Sequence, residues 1–214
     1  MTVVIKNLSK SFSIDKPKPF SFSPKTKVNV LKDINLKIPA GKIVGITGEN
    51  GAGKTTFLKI IAGIIKPNRG EIIIDGKVIG LFGTPAALDH RLSLKDSIYY
   101  WCAFLGLEKK EVGKIYDSIV READLGEFKN ASPKQFSLGM ITRVAMSIGF
   151  NVKSKVIIID EAFSSLDQEF REKTIKKLKT LAHQGVIIFI ASHDENLLAE
   201  SCDQVLKIKD GKIY

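Results

Sequence analysis

Gly48-Glu49-Asn50-Gly51-Ala52-Gly53-Lys54-Thr55-Thr56 is the stretch that decides the fold. It satisfies G-x-x-x-x-G-K-[ST], and its surroundings are the ones this pattern requires. The apolar run Lys42-Ile43-Val44-Gly45-Ile46-Thr47 before it reads as a short buried strand, and Thr55 to Ile65 after it as a helical run closed by Pro67 and Gly70. Glycines at 48, 51 and 53 let successive backbone N–H groups turn inward around an anion. The helix that follows aims its positive dipole end at the same place. Lys54 is expected to reach the outer phosphates of a nucleotide and the Thr55 hydroxyl to hold Mg²⁺.

A second element gives the cradle a chemical partner. "VIIIDEAF" ends an apolar strand in Asp160 and Glu161. Alternation along a strand points the two carboxylates different ways. Asp160 is then placed to complete a Mg²⁺ shell through water, and Glu161 to polarise an attacking water as general base. Ser164-Ser165-Leu166-Asp167 follows, with Asp167 also suited to cap a helix. Ile190-Ala191-Ser192-His193 ends the last long apolar strand, and His193 sits where doubly wound sheets bind ligands.

Around these motifs the pattern is that of an α/β protein. Val3-Val4-Ile5 and Val30 to Ile38 read as early strands, and "SIDKPKPFSFSPKTKVN" between them as a loop or hairpin insertion. Glu71-Ile72-Ile73-Ile74-Asp75-Gly76 opens what reads as another strand pair. From 84 to 150 the character is helical, with Val112, Ile115, Ile119, Val120 and Ala123 at helical spacing. Val156–Ile159 and Val186–Ile190 return to strand, separated by a helix with Phe170, Ile175, Leu178 and Leu181 inward, which indicates a parallel sheet covered on both faces. The expected organisation is one domain over 1–214: a nucleotide-binding α/β core from 1–83 and 151–214, and a helical lobe from 84–150.

Composition sets bounds. A chain of 214 residues with 44% hydrophobic content can bury one sizeable core. No apolar run approaches the roughly 18–20 residues that span a bilayer, and "MTVVIKNLSKSF" lacks the build of a secretory signal. Cys102 and Cys202 match no metal or redox spacing, so two reduced thiols in a cytosolic protein are expected. The net charge of +10 is spread along the chain, consistent with a solvated lysine-rich surface, an anionic membrane surface or nucleic acid.

Taken together and in this order, these residues resemble the ATP-binding subunit of an ABC transporter over essentially the whole chain. The resemblance implies a P-loop NTPase core with a mixed, largely parallel sheet, an antiparallel β part and a helical signature lobe. It implies ATP contacts by Gly48, Glu49, Asn50, Gly51, Ala52, Gly53, Lys54, Thr55 and Thr56, Mg²⁺ ligation by Thr55 and Asp160, catalysis by Lys54, Glu161 and the switch histidine His193, and a D-loop ending at Asp167. Phe12 falls where the family stacks an aromatic ring on adenine; a plain core residue is the other reading. "FSLGM" at 136–140 stands at the family signature. Ser137, Gly139 and Met140 are assigned there to the ATP of the opposing subunit in a homodimer. An aspartate at 139 is expected to set a carboxylate against that γ-phosphate.

The same letters resemble the Tyr-Ser-Ser-Gly-Met variety of capsule, O-antigen and teichoic acid exporters, and "LDQEFREK" and the insertion at 14–29 agree with that branch. One departure stands out. The family places a Gln where the chain enters the helical lobe, whereas "GLFGTPAALDHRLSLKDSIYYW" contains neither Gln nor Glu, leaving Thr84 and Asp89 as polar substitutes. The resemblance implies an ATPase at the cytoplasmic face of the cell membrane that drives a separate permease, docked near 81–101. No nucleic acid is expected as partner, since the second cassette or coiled-coil insertion of nucleic-acid-acting relatives is missing. Other transported substrates (lipids, drugs, imported solutes), a soluble ATPase acting on nucleic acid, and a nucleotide-binding module without turnover are the alternatives.

Overall fold

The computed structural model describes residues 2–14, 26–82 and 91–214. Two sheets organise it. Strands β1 (Thr2–Ile14), β2 (Thr26–Pro39) and β4 (Arg69–Ile73) form an antiparallel sheet in the order β2-β1-β4. Strands β3 (Ile43–Thr47), β5 (Val78–Phe82), β6 (Val156–Asp160), β7 (Ile187–Ala191), β8 (Gln204–Lys209) and β9 (Lys212–Ile213) form the second, in the order β5-β6-β7-β3-β8-β9. It is parallel from β5 to β8, and β9 alone runs antiparallel, on β8. The mixed α/β architecture expected from sequence is the one observed.

Two strand expectations are corrected. The early strands run further than their apolar centres: Ser11 to Ile14 pair with Asn29 to Thr26, so the flanks of the expected loop or hairpin insertion are ladder, as in its hairpin reading. Ser11, Ser13, Thr26, Lys27 and Asn29 are polar and Phe12 and Val28 are exposed, so hydrophobic alternation does not mark this extension. The second correction concerns β4 and β5, which do not pair with each other. Exposed β4 lies on β1, whereas β5 presents Ile79 and Leu81 to the core beside β6.

The helices follow their capping chemistry. α2 (Leu94–Phe104) starts at Ser93, whose Oγ accepts from Asp96 N. α3 (Lys109–Ala123) carries a capping box between Glu108 and Glu111, and buries Val112, Ile119 and Ala123. α4 (Leu138–Asn151) starts at Ser137 and is buried along most of its length. α1 (Lys54–Ile61), α5 (Gln168–His183) and α6 (Glu195–Ser201) pack on the parallel sheet. β6 and β7 are buried at every position, which is why their sequences are continuous apolar runs without alternation. One face of that sheet shares a core with α1 and the antiparallel sheet. The other shares one with α2 to α5, so helices 2–4 rest on β5 and β6 as a separate layer.

Candidate functional site

Because β6, β7 and β3 are adjacent and parallel, their C-terminal ends share one edge of the sheet. The phosphate loop leaves β3 there, Asp160 closes β6, and Ser192-His193 follows β7. Gly48, Gly51 and Gly53 take φ of 146°, 81° and 106°, conformations an L side chain adopts only with strain. Gly53 also has no room for one, since a Cβ there would meet Val30 Cγ1 at 2.9 Å. The loop is thus pressed under β2 while Glu49, Asn50, Gly51 and Thr55 stay exposed and Ala52 and Thr56 half-buried.

Lys54 is 7% exposed, and its Nζ donates to the carbonyls of Gly48 and Glu49 at 2.8 and 3.3 Å. Those bonds hold its charge inside the curl of the loop. Thr55 Oγ1 donates to Asp160 Oδ2 at 2.7 Å, while Asp160 Oδ1 is buried without a hydrogen-bond partner. A hydroxyl and a carboxylate with an oxygen to spare, beside a phosphate loop, fit Mg²⁺. That ion takes few protein oxygens and completes its shell with water and substrate phosphates. The three-residue His, Cys, Asp or Glu clusters that hold other metals are absent among the described residues.

Glu161 diverges from Asp160 for a different reason than strand alternation. The strand stops at Asp160, and Glu161 takes the left-handed conformation, φ 56°. Its N–H donates to Ala191 O at 3.0 Å, which ties it to the end of β7. That bond brings its Oε1 to 3.1 Å from His193 Nε2. The two atoms are close enough for an ion pair when the imidazole is protonated, but their alignment leaves Oε1 without a hydrogen bond. Beside His193, Ser192 Oγ accepts from Asp194 N, and Asp194 caps α6.

Phe12 is 39% exposed and sits opposite Val28, 41% exposed, beyond the point where β2 overlies Gly53. It is not a core residue. Lys10 Nζ lies 4.9 Å from its ring centroid and donates to Lys66 O at 2.8 Å, an anchored cation–π contact that steadies the ring.

Ser137, Gly139 and Met140 lie apart from this edge, on the first turn of α4. Ser137 Oγ accepts from Met140 N at 3.2 Å. A Cβ at Gly139 would stand 2.7 Å from Ser165 O, so any side chain there disturbs its own chain first. The charge argument for Gly139→Asp is corrected accordingly. Asp167 is committed within the chain: Oδ1 caps α5 by accepting from Phe170 N at 2.9 Å, and Oδ2 accepts from Arg143 Nη2. Those two bonds, the Phe170 amide first, hold its carboxyl below its ordinary 3.8. Sequence reasoning missed Arg143. Its only signal is its place one and a half turns past Ser137 on the inner face of α4. Thr84 and Asp89 lie outside the described residues.

Both cysteines are free, and burial pushes each thiol up to about 11. No described helix is long and apolar enough to cross a membrane.

A phosphate loop, an Asp–Glu strand end and a following histidine on one sheet edge, with a capped helix beside them, define an ABC-type nucleotide-binding cassette. The ABC transporter family model matches residues 31–164, and the chain belongs to that family. It is 36% identical over 183 residues to the teichoic acids export ATP-binding protein TagH of Bacillus cereus, covering 86% of this chain and 33% of TagH. It is 31% identical over 204 residues to the O-antigen export system ATP-binding protein RfbB of Klebsiella pneumoniae, covering 92% and 83%. Several curated relatives are longer than the match, and the chain spans 33–64% of their length. The dimeric post-hydrolysis structure of the ATP-binding cassette MJ0796 bound to ADP and Pi superposes with a TM-score of 0.83 at 27% identity, over 99% of this chain and 96% of that one.

Proposed function

We propose that this chain binds MgATP, dimerises around two nucleotides, and hydrolyses ATP to ADP and phosphate to drive export of a bacterial surface polysaccharide or glycolipid through a separate permease. The observation that carries the reading is the convergence of Lys54, Thr55, Asp160, Glu161 and His193 on one edge of the parallel sheet. The likeness to TagH and RfbB supports the substrate class. The dimeric ADP- and Pi-bound cassette supports nucleotide turnover between paired subunits.

The chemistry follows from the residues. The loop amides and the Lys54 ammonium hold the triphosphate and offset charge that grows on its oxygens as the terminal phosphoryl group transfers. Thr55 and Asp160 would hold Mg²⁺, which shields the phosphate oxygens from one another. Glu161 accepts a proton from the attacking water as its oxygen bonds to the γ-phosphorus, and the bridging oxygen leaves with its electron pair on ADP. His193, whose Nε2 lies 3.1 Å from Glu161 Oε1, shares with Glu161 the positioning of the attacking water. Phe12 stacks on the base, and Ser137, Gly139 and Met140 serve the nucleotide of the opposing subunit.

For the permease, the helical layer offers Tyr100, 62% exposed, and Phe104, 81% exposed, on one side of α2. Trp101 is buried at 9% and Tyr99 packs on Tyr116 with ring centroids 5.9 Å apart, so those two belong to the lobe itself. Residues 83–90 of the expected 81–101 contact region fall outside the described residues. On this reading the subunit works at the cytoplasmic face of the cell membrane, held there by its permease. Phosphate release from MgATP by the purified chain tests the enzymatic part, with Lys54→Ala as the control expected to lose it. Expression of Lys54→Ala in place of the native chain should strand surface glycan inside the cell. Normal surface glycan in such cells would refute the exporter assignment.

A further inference from the structure

We propose that the N-terminal edge of the parallel sheet carries a second ligand site, for a small organic phosphate with an apolar body, separate from the phosphate loop. A cavity of about 450 Å³ lies there, between the last turns of α4 and α5 and the starts of β5, β6 and β7. That volume falls in the range of small-molecule sites. Phe150, Ile157, Leu181 and Val186 give it an apolar wall. Lys77, Lys153 and Lys155 bring three ammonium groups, and among the described residues no carboxylate lines it.

The sheet itself brings two of these charges together. Val78 pairs with Val156, and Lys155 N donates to Lys77 O at 2.8 Å, so the two lysines stand side by side just ahead of their strands. Each is two residues before Ile79 or Ile157, which face the core under α2 to α5, so both fall on that face. Gly76 leaves room for one of them: a Cβ there would stand 2.3 Å from Lys155 Cγ. Like charges on neighbouring strands are destabilising, and Lys77, Lys153 and Lys155 have no ion pair among the described residues. The adjoining cavity of about 400 Å³, which shares Phe150, is built the other way. There Lys173 pairs with Asp124 at 3.0 Å and Lys177 with Glu122 at 2.8 Å. Asn151 does reach from the lysine-lined wall to Glu122 Oε2 at 2.9 Å, but Lys177 already holds the other oxygen of that carboxylate.

A phosphate dianion supplies what this cluster lacks. Lysine ammoniums bind phosphate as point charges, and half-buried Ser154 adds a hydroxyl on the same wall. The apolar wall selects a phosphate that carries a ring or short chain, since inorganic phosphate leaves that surface uncovered. A recess of this size suits a small molecule better than the flat face of a bilayer. The nucleotide is served at the opposite end of the same strands. β6 starts beside this cavity at Val156 and ends at Asp160, five residues or about 17 Å away. The proposal is therefore independent of the ATPase reading.

The test titrates 1-naphthyl phosphate into the full chain at saturating MgADP and follows backbone amide resonances. Those of 152–155 and 184–186 should shift, while those of 48–56 stay in place. Naphthyl phosphate should bind at least about tenfold tighter than inorganic phosphate, the worth of covering part of the apolar wall. Lys153→Gln/Lys155→Gln should weaken it by about tenfold or more. Lys129→Gln/Lys134→Gln removes the same charge elsewhere and should change it by less than about twofold. Without probe and at low salt, Lys153→Gln/Lys155→Gln should melt no lower than that control, because a repulsion has been relieved. Shifts confined to 48–56, equal affinity for inorganic phosphate, or equal weakening in both double variants would overturn the proposal. So would a lower Tm in Lys153→Gln/Lys155→Gln than in the control. Vesicles of equal parts phosphatidylcholine and phosphatidylglycerol form the last arm. If they move the same amides and naphthyl phosphate does not, the lysines serve a membrane surface and the small-molecule site is refuted.

Discussion

Gly139→Ala is the smallest perturbation of the contact between the signature turn and the D-loop. A Cβ at that position would stand 2.7 Å from Ser165 O, an atom of the main chain that cannot rotate away. Carbon and oxygen need several tenths of an ångström more, so either α4 tilts or the 162–165 turn withdraws. Overpacking of this kind costs about 1–3 kcal/mol. Against it stands the helix preference of Ala over Gly, about 1 kcal/mol in a helix interior and less in a first turn. The net expectation is a loss of about 1–2 kcal/mol, or a fall in Tm of about 2–8 °C for a domain of this size. Gly149 supplies the internal control on the same helix. Its Cβ would meet the end of the Leu81 side chain at 3.2 Å, which can shift, so Gly149→Ala should stay within about 1 kcal/mol of the parent. Urea unfolding of the three proteins, with phosphate release measured alongside, gives both quantities. Gly139→Ala should lose turnover as well as stability. If it proves as stable as Gly149→Ala, the approach of α4 to Ser165 is not rigid, and the reasoning from it fails.

Glu161→Gln keeps the shape of the side chain and removes the base, so phosphate release should fall by roughly 10²–10⁴-fold while MgATP holds two subunits together on gel filtration. Undiminished turnover would make this carboxylate structural. Thr55→Val deletes the donor to Asp160 Oδ2, 2.7 Å away, on a carboxylate whose other oxygen already lacks a partner. Urea unfolding without nucleotide should show a loss of about 1–2 kcal/mol, and MgATP affinity should fall further; unchanged stability would mean the hydroxyl bond contributes nothing. Asp167 has its carboxyl lowered below 3.8 by the Phe170 amide and then by Arg143. A lowered folded value means the carboxylate adds stability above the unfolded value, and that this is lost as pH falls through the folded one. The Tm gap between parent and Asp167→Asn should therefore persist from neutral pH to about 4 and close below it. A gap that ignored pH would show that the charge is not its source.

The phosphate loop, the Asp160–Glu161 strand end and the helical character expected from 84 to 150, found as α2 to α4 over 94–151, were legible in the sequence because each is local. Strand, glycine turn and helix follow one another within a few residues, and burial on both faces writes β6 and β7 as unbroken apolar runs. The length of β1 and β2 was not legible, since backbone ladders form without regard to side-chain alternation. Nor was the separation of β4 from β5, which depends on what each strand finds beside it. Thr55 reaches Asp160 across 105 residues of chain, and Glu161 meets His193 only because β6 and β7 are neighbours and Glu161 turns left-handed. Arg143 shows the limit most clearly. Its partners, Asp124 at the end of α3 and Asp167 and Phe170 at the start of α5, come from two other helices, and no spacing rule within one helix can bring them together. The sequence determined which groups are present and which local turns present them. The tertiary structure decided which of those groups share a site, because parallel strand order and helix packing set distances that chain separation does not.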